Sequence, residues 1–123
     1  MILVDTSVWV DHLRASDGLL ASALREGLVA IHPLVIEEIA AGYLSKRKEI
    51  LSLLEALPKA PDAQHHELLE FIERESLYGV GLGVIDIRLL ASARLSHASL
   101  WSRDKRLADA AKRLRVGYSE PRA

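Results

Sequence analysis

Cysteine is absent from this 123-residue chain. That excludes disulfides and thiolate metal sites, and it suits a reducing compartment. Aromatic residues are scarce, with one Phe, two Trp and three Tyr, so the core must be built from Leu, Ile, Val and Ala. No apolar run approaches the length that crosses a bilayer. The N-terminal Ile2-Leu3-Val4 is too short for a signal-peptide core and is interrupted by Asp5, so a cytoplasmic protein is expected. Net charge is also nearly absent, at −1, yet it is unevenly spread. Residues 61–80 carry five acids against Arg74, whereas residues 103–123 carry seven bases against Asp104, Asp109 and Glu120. A basic region beside an acidic site can attract phosphates; a solvated helix face explains it equally well.

What is present is half apolar and about a quarter charged, as in a soluble globular protein, and its length suits one domain spanning residues 1–123. Three stretches share a pattern in which an apolar run meets an acid: Met1-Ile-Leu-Val-Asp5-Thr6-Ser7, Gly83-Val-Ile-Asp86, and Ala98-Ser-Leu-Trp101-Ser102-Arg103-Asp104. Strands are expected at residues 2–5, 28–31, 98–101 and 116–118, with a possible edge strand between Pro58 and Pro61. Between them the spacing predicts helices. One is capped by Thr6 or Ser7, one stops at Gly27, and one begins at Leu34 with a stripe of Ile36, Ile39, Ala40 and Tyr43. Others cover residues 46–57, 64–77, 84–96 and 105–114. Alternating strands and helices without hairpin turns imply an α/β fold with a mostly parallel sheet covered on both faces. Strand ends of such a sheet converge on one crevice, where acids remote in sequence can meet. An acidic cluster without a fixed cation is electrostatically unstable, and a divalent metal is the usual remedy.

Asp5 is the strongest candidate, ending a strand at that crevice, although helix capping is an equally common role for Asp. Thr6 and Ser7 beside it can orient a metal-bound water. Asp86 lies in the first turn of a helix, at the edge of an apolar stripe formed by Ile85, Leu89 and Ala93, where an unpaired charge is costly. Spacing does not choose between Glu37 and Glu38. Asp104 can cap a helix or join the site, while Asp109 lies mid-helix within reach of Lys105, Lys112 and Arg113 as an i±3/i±4 partner. Arg103 and Lys105 can hold a phosphate oxygen. His65 and His66 read as surface residues, and Gly79, Gly81 and Gly83 form a loop bordering the site rather than a dinucleotide fingerprint.

Read together, these segments resemble the PIN-domain ribonucleases, in particular the VapC toxins of prokaryotic toxin–antitoxin pairs. The resemblance rests on Met1–Arg14, on His32-Pro-Leu-Val-Ile-Glu-Glu38-Ile, on Gly83-Val-Ile-Asp86-Ile-Arg, and on Leu100-Trp-Ser-Arg-Asp104-Lys-Arg-Leu107. It selects Glu38 over Glu37. Two departures are Ser102, where Thr is frequent, and Ile87, where a smaller residue is frequent. The resemblance implies a three-layer α/β/α sandwich and a catalytic, metal-binding set of Asp5, Glu38, Asp86 and Asp104. Mg²⁺, or Mn²⁺, would be the cofactor, with Thr6, Ser7, Ser102 and Arg103 as supporting or phosphate-contacting groups. It also implies a homodimer, an RNA substrate, and a VapB-like antitoxin through which operator DNA is bound. Two rivals are a PIN-fold module that binds an antitoxin or nucleic acid without catalysis, and a receiver domain, which would need an adjacent acid pair that is not evident.

Overall fold

The computed structural model describes residues 1–121. Arg122, counted above in the basic stretch, lies outside the described residues. Three parallel strands form the sheet: β1 (Ile2–Val4), β2 (Val29–Ala30) and β3 (Ser99–Trp101), in the order β2-β1-β3. Ile2 faces Val29 on one side and Ser99 on the other, so β1 is hydrogen-bonded along both edges. All three of its residues are buried, as a central parallel strand requires. Leu3 is fully buried, and a Leu so placed contributes about 1.5–3 kcal/mol.

Two expected strands shrink to single parallel bridges, Ile31 with Lys59 and Leu100 with Gly117. Pro58 and Pro61 leave too few donors for a ladder at one edge. At the other, Leu114 caps the last helix, Arg115 takes a left-handed backbone, and only a short segment remains to pair.

Helices fill the connections. α1 (Thr6–Arg14) and α2 (Gly18–Arg25) link β1 to β2. α3 (Pro33–Ala41), α4 (Arg47–Glu55), α5 (His65–Arg74) and α6 (Val84–Ser96) link β2 to β3, and α7 (Lys105–Arg113) follows. α1 packs on α3, which packs on α4; α5 packs on α6; α6 and α7 lie against β3. Together these layers make the three-layer α/β/α arrangement. Gly27 ends the α2 connection with a φ of +70°, a conformation glycine adopts without strain.

Three local expectations are corrected. Helix α1 is capped by Asp5, not by Thr6 or Ser7: Asp5 has extended backbone and its carboxylate reaches the Ser7 N–H, while Thr6 is already helical. Helix α3 stops at Ala41 and leaves Tyr43 almost wholly exposed, so Tyr43 does not join the Ile36/Ile39 stripe. In α6 the buried residues are Ile87 and every position from Leu89 to Ala93, with Ile85 only half-buried. A helix enclosed on most of its circumference needs no single apolar stripe.

Candidate functional site

The chain leaves β1 for β2 on one side and reaches β3 on the other, so the strand order reverses at β1. This is the switch point at which α/β sheets open a crevice at their carboxyl ends. Asp5 immediately follows β1 and sits there, 6% exposed. Its backbone N–H donates to the Trp101 carbonyl at 2.8 Å, which fixes it beside the end of β3.

Hydroxyl groups hold the Asp5 carboxylate. Its Oδ2 accepts from Ser7 Oγ at 2.7 Å, from Ser102 Oγ at 2.9 Å and from the Ser7 N–H at 3.3 Å. Ser7 Oγ in turn accepts from the Arg103 N–H at 2.9 Å, and Ser102 Oγ from the Asp104 N–H at 3.0 Å. Each hydroxyl spends its one proton on Asp5, so the 3.4 Å approach between Ser7 Oγ and Ser102 Oγ is a contact rather than a hydrogen bond. This lattice ties the β1 end to the loop carrying Asp104.

The other carboxylates are held in the same way. Thr6 Oγ1 donates to Glu38 Oε1 at 2.7 Å, so Glu38, and not Glu37, is linked to the residue after Asp5. Asp104 caps α7 through Oδ1, which accepts from the Leu107 N–H at 3.2 Å. Asp86 Oδ2 accepts from the Gly83 N–H at 3.4 Å. Thus each of the four acids has one oxygen engaged locally. The second oxygen of each (Asp5 Oδ1, Glu38 Oε2, Asp86 Oδ1, Asp104 Oδ2) takes no hydrogen bond, and none of the four forms an ion pair, among the described residues.

Asp86 reports their mutual proximity. Burial pushes its carboxyl above the usual range, and the charges of Asp5, Asp104 and Glu38 push it further in the same direction. Even so, among the described residues no three acidic or histidine side chains stand close enough to share an ion without side-chain rotation. The donor set is wholly oxygen and half uncommitted, which fits a hard dication such as Mg²⁺ or Mn²⁺.

Arg103 is engaged through both its side chain and its backbone. Its guanidinium is half-buried against Asp17 Oδ2 (2.7 Å), Asp11 Oδ2 (2.9 Å) and Glu120 Oε1 (2.8 Å), and it lies over the Trp101 ring. The guanidinium is committed to three carboxylates, while the Arg103 N–H supports the Asp5 lattice through Ser7 Oγ. These partners hold its charge firmly, and it in turn holds Asp17 and Glu120 below the usual carboxylate range. Lys105 pairs with Asp109 at 2.7 Å, one of the helical pairings read from the sequence.

A second network went unread. His32 is fully buried and caps α3 by accepting from the Leu34 N–H through Nδ1 at 3.0 Å. Burial lowers its proton affinity, so the ring is neutral at pH 7 with its proton on Nε2, 3.3 Å from Asp62 Oδ1. No hydrogen bond forms there, which leaves Nε2 unsatisfied among the described residues. Arg88 completes the link, donating to Asp62 Oδ1 and to the Ala63 carbonyl, both at 3.0 Å. The network joins the helix bearing Glu38 to the helix bearing Asp86. The Pro after His32 was its only sequence signal, because Pro opens helices.

A parallel three-stranded sheet covered by helices, with acids gathered near its switch point, defines the class as an α/β protein. Residues 2–113 match the PIN domain family. Two curated relatives, both Ribonuclease VapC32, from Mycobacterium tuberculosis strains CDC 1551 / Oshkosh and ATCC 25618 / H37Rv, are 46% identical over 98% of this chain and 98% of their own length. The chain belongs to the PIN-domain family, in its VapC branch. A solved chain in the structure of FitAB bound to an IR36 DNA fragment superposes with a TM-score of 0.63 at 18% identity, covering 91% of each chain, a likeness of fold.

Proposed function

We propose that this chain is the toxin of a VapBC-type pair, a divalent-metal-dependent endoribonuclease. The observation that carries the reading is the set of four unpaired carboxylates at the switch point, each anchored by one oxygen and open at the other. The name ribonuclease borne by relatives 46% identical supports the same chemistry. Asp5 and Asp86 would hold Mg²⁺ or Mn²⁺, with Glu38 and Asp104 completing the acidic pocket. When bound, such an ion offsets negative charge building on the phosphate and makes water more acidic. The chain's own residues do the rest. Ser7 and Ser102 fix the rotamer of Asp5, Thr6 fixes Glu38, and the α7 cap fixes Asp104, so the open oxygens are aimed before substrate arrives. In-line attack by water leaves a 5′-phosphate and a 3′-hydroxyl. A VapB-like antitoxin would cover the crevice and join the toxin in binding operator DNA. The working protein would be a cytoplasmic homodimer.

Purified protein is expected to cut RNA with Mg²⁺ or Mn²⁺, to lose cleavage in excess EDTA, and to regain it when metal is returned. Undiminished cutting in EDTA, or 2′,3′-cyclic ends on the products, defeats the proposal. Ser102→Ala removes one of the hydroxyls donating to Asp5 and the acceptor of the Asp104 N–H. It is expected to lower metal affinity or activity about 10–100-fold. Ser102→Thr keeps the hydroxyl and is expected to retain most activity; equal losses in both variants would show that packing, not the hydrogen bonds, matters here.

A further inference from the structure

The glycine-rich segment and the basic C-terminal helix meet at a cleft. Residues 77–83 run along α7 and enclose a cleft of about 280 Å³ whose lining includes Leu77, Val80, Leu82, Arg106 and Arg113. One end of this segment is fixed to the site by the bond from the Gly83 N–H to Asp86. On the opposite wall Arg106 lies on α7, two residues beyond Asp104, so each wall of the cleft is continuous in the chain with one of the four acids. Arg106 and Arg113 are seven residues apart and share a face of α7, about 10 Å along its axis.

Both guanidinium groups keep their charge uncompensated. Among the described residues neither forms an ion pair; Arg113 donates to the Glu75 carbonyl at 3.0 Å, and Arg106 lies over the Gly81 carbonyl at 3.5 Å. Asp109 also lines the cleft, but Lys105 neutralises it. Gly81 has a φ of +83°, and a Cβ there would collide with Arg106 Nη1, so glycine is what lets the guanidinium rest against the loop. Tyr78, the residue after the cleft-lining Leu77, is 61% exposed, an aromatic ring presented to solvent.

We propose that this cleft is the track of a single RNA strand leaving the crevice, with Arg106 on a phosphate near the cut and Tyr78 stacked on an unpaired base. Single strands are held by such pairings of positive groove and aromatic platform. A second copy of the chain fits less well, because a two-fold contact through this patch sets like charges against like. The inference rests on the ribonuclease reading and adds the substrate's path to it.

The test measures binding of a fluorescent single-stranded RNA by anisotropy in EDTA across a salt series, beside cleavage kinetics in Mg²⁺. Tyr78→Ala is expected to weaken binding about 5- to 100-fold and to raise KM with little change in kcat, while Tyr78→Phe binds as wild type. Arg106→Gln is expected to lower the slope of log affinity against log salt by about 0.7, one single-strand phosphate contact. Arg25→Gln, on the helix leading to the opposite end of the sheet, is the control expected to change nothing. Wild-type affinity and slope in both cleft variants overturn this inference alone, as does a changed oligomeric state with unchanged RNA affinity. Wild-type protein that neither binds nor cuts RNA sinks the ribonuclease reading, and this inference with it.

Discussion

Changing Asp5 to Asn is expected to lower RNA cleavage by on the order of 10³-fold while leaving the protein folded, because a metal's share of phosphate chemistry amounts to several kcal/mol. The amide keeps an oxygen that can accept from Ser7 and Ser102, so the α1 cap and the hydroxyl lattice survive. What is lost is the charge. The same loss has an opposite effect on stability. The four carboxylates have no basic partner, and the Asp86 carboxyl is held above the usual range first by burial and then by the charges of Asp5, Asp104 and Glu38. Removing one charge relieves the second effect, so Asp5→Asn in EDTA is expected to melt no lower than wild type, and added Mg²⁺ is expected to raise its Tm less than that of wild type. Wild-type turnover in Asp5→Asn, or an Mg²⁺-induced rise in Tm equal to that of wild type, would remove Asp5 from the metal site.

Arg103→Ala is expected to be the most destabilising change at a charged residue. The guanidinium joins Asp11 on α1, Asp17 at the start of α2 and Glu120 beyond α7, and it covers Trp101, which itself donates to Glu120 at 2.9 Å. Exposed pairs contribute about 0–1 kcal/mol and buried ones cost 3–5 kcal/mol when broken; a half-buried hub with three acids lies between, at about 1–3 kcal/mol. Lys cannot reproduce the fork and should restore only part of this. The pH dependence follows from the acids, since Arg103 stays charged throughout. Asp17 and Glu120 are held below their ordinary values of 3.8 and 4.5. Their contribution is therefore full above those values and is lost as pH falls through the lowered ones. Denaturant unfolding is expected to show a wild-type advantage at pH 7 that shrinks below about pH 4. An advantage that grows in acid would contradict the ion-pair account.

Much of the site could be read from the chain because its acids are local events. Asp5, Asp86 and Asp104 each stand where an apolar element starts or stops, and the geometry of strand ends brings such positions together. For Asp5 and Asp104, capping is compatible with the proposed site role, since a cap uses only one carboxylate oxygen. Spacing did not separate Glu37 from Glu38; the family resemblance selected Glu38, and the long-range bond from Thr6 supplies a physical reason. The guanidinium of Arg103 has partners up to 92 residues away, so its ion pairs were not legible from its neighbours in sequence. The His32–Asp62–Arg88 link and the loss of Tyr43 from α3 likewise depend on tertiary placement, to which periodicity is blind.

The position of β1 at the centre of the sheet has a consequence for synthesis. It pairs with β3 along one edge, and the hydroxyl that steadies Asp5 comes from Ser102, 97 residues later. On a ribosome the earliest segment must therefore wait, unpaired on that side, until most of the polypeptide has emerged. A nascent or prematurely terminated product ending before β3 has no assembled crevice and is expected to be harmless to the cell producing it.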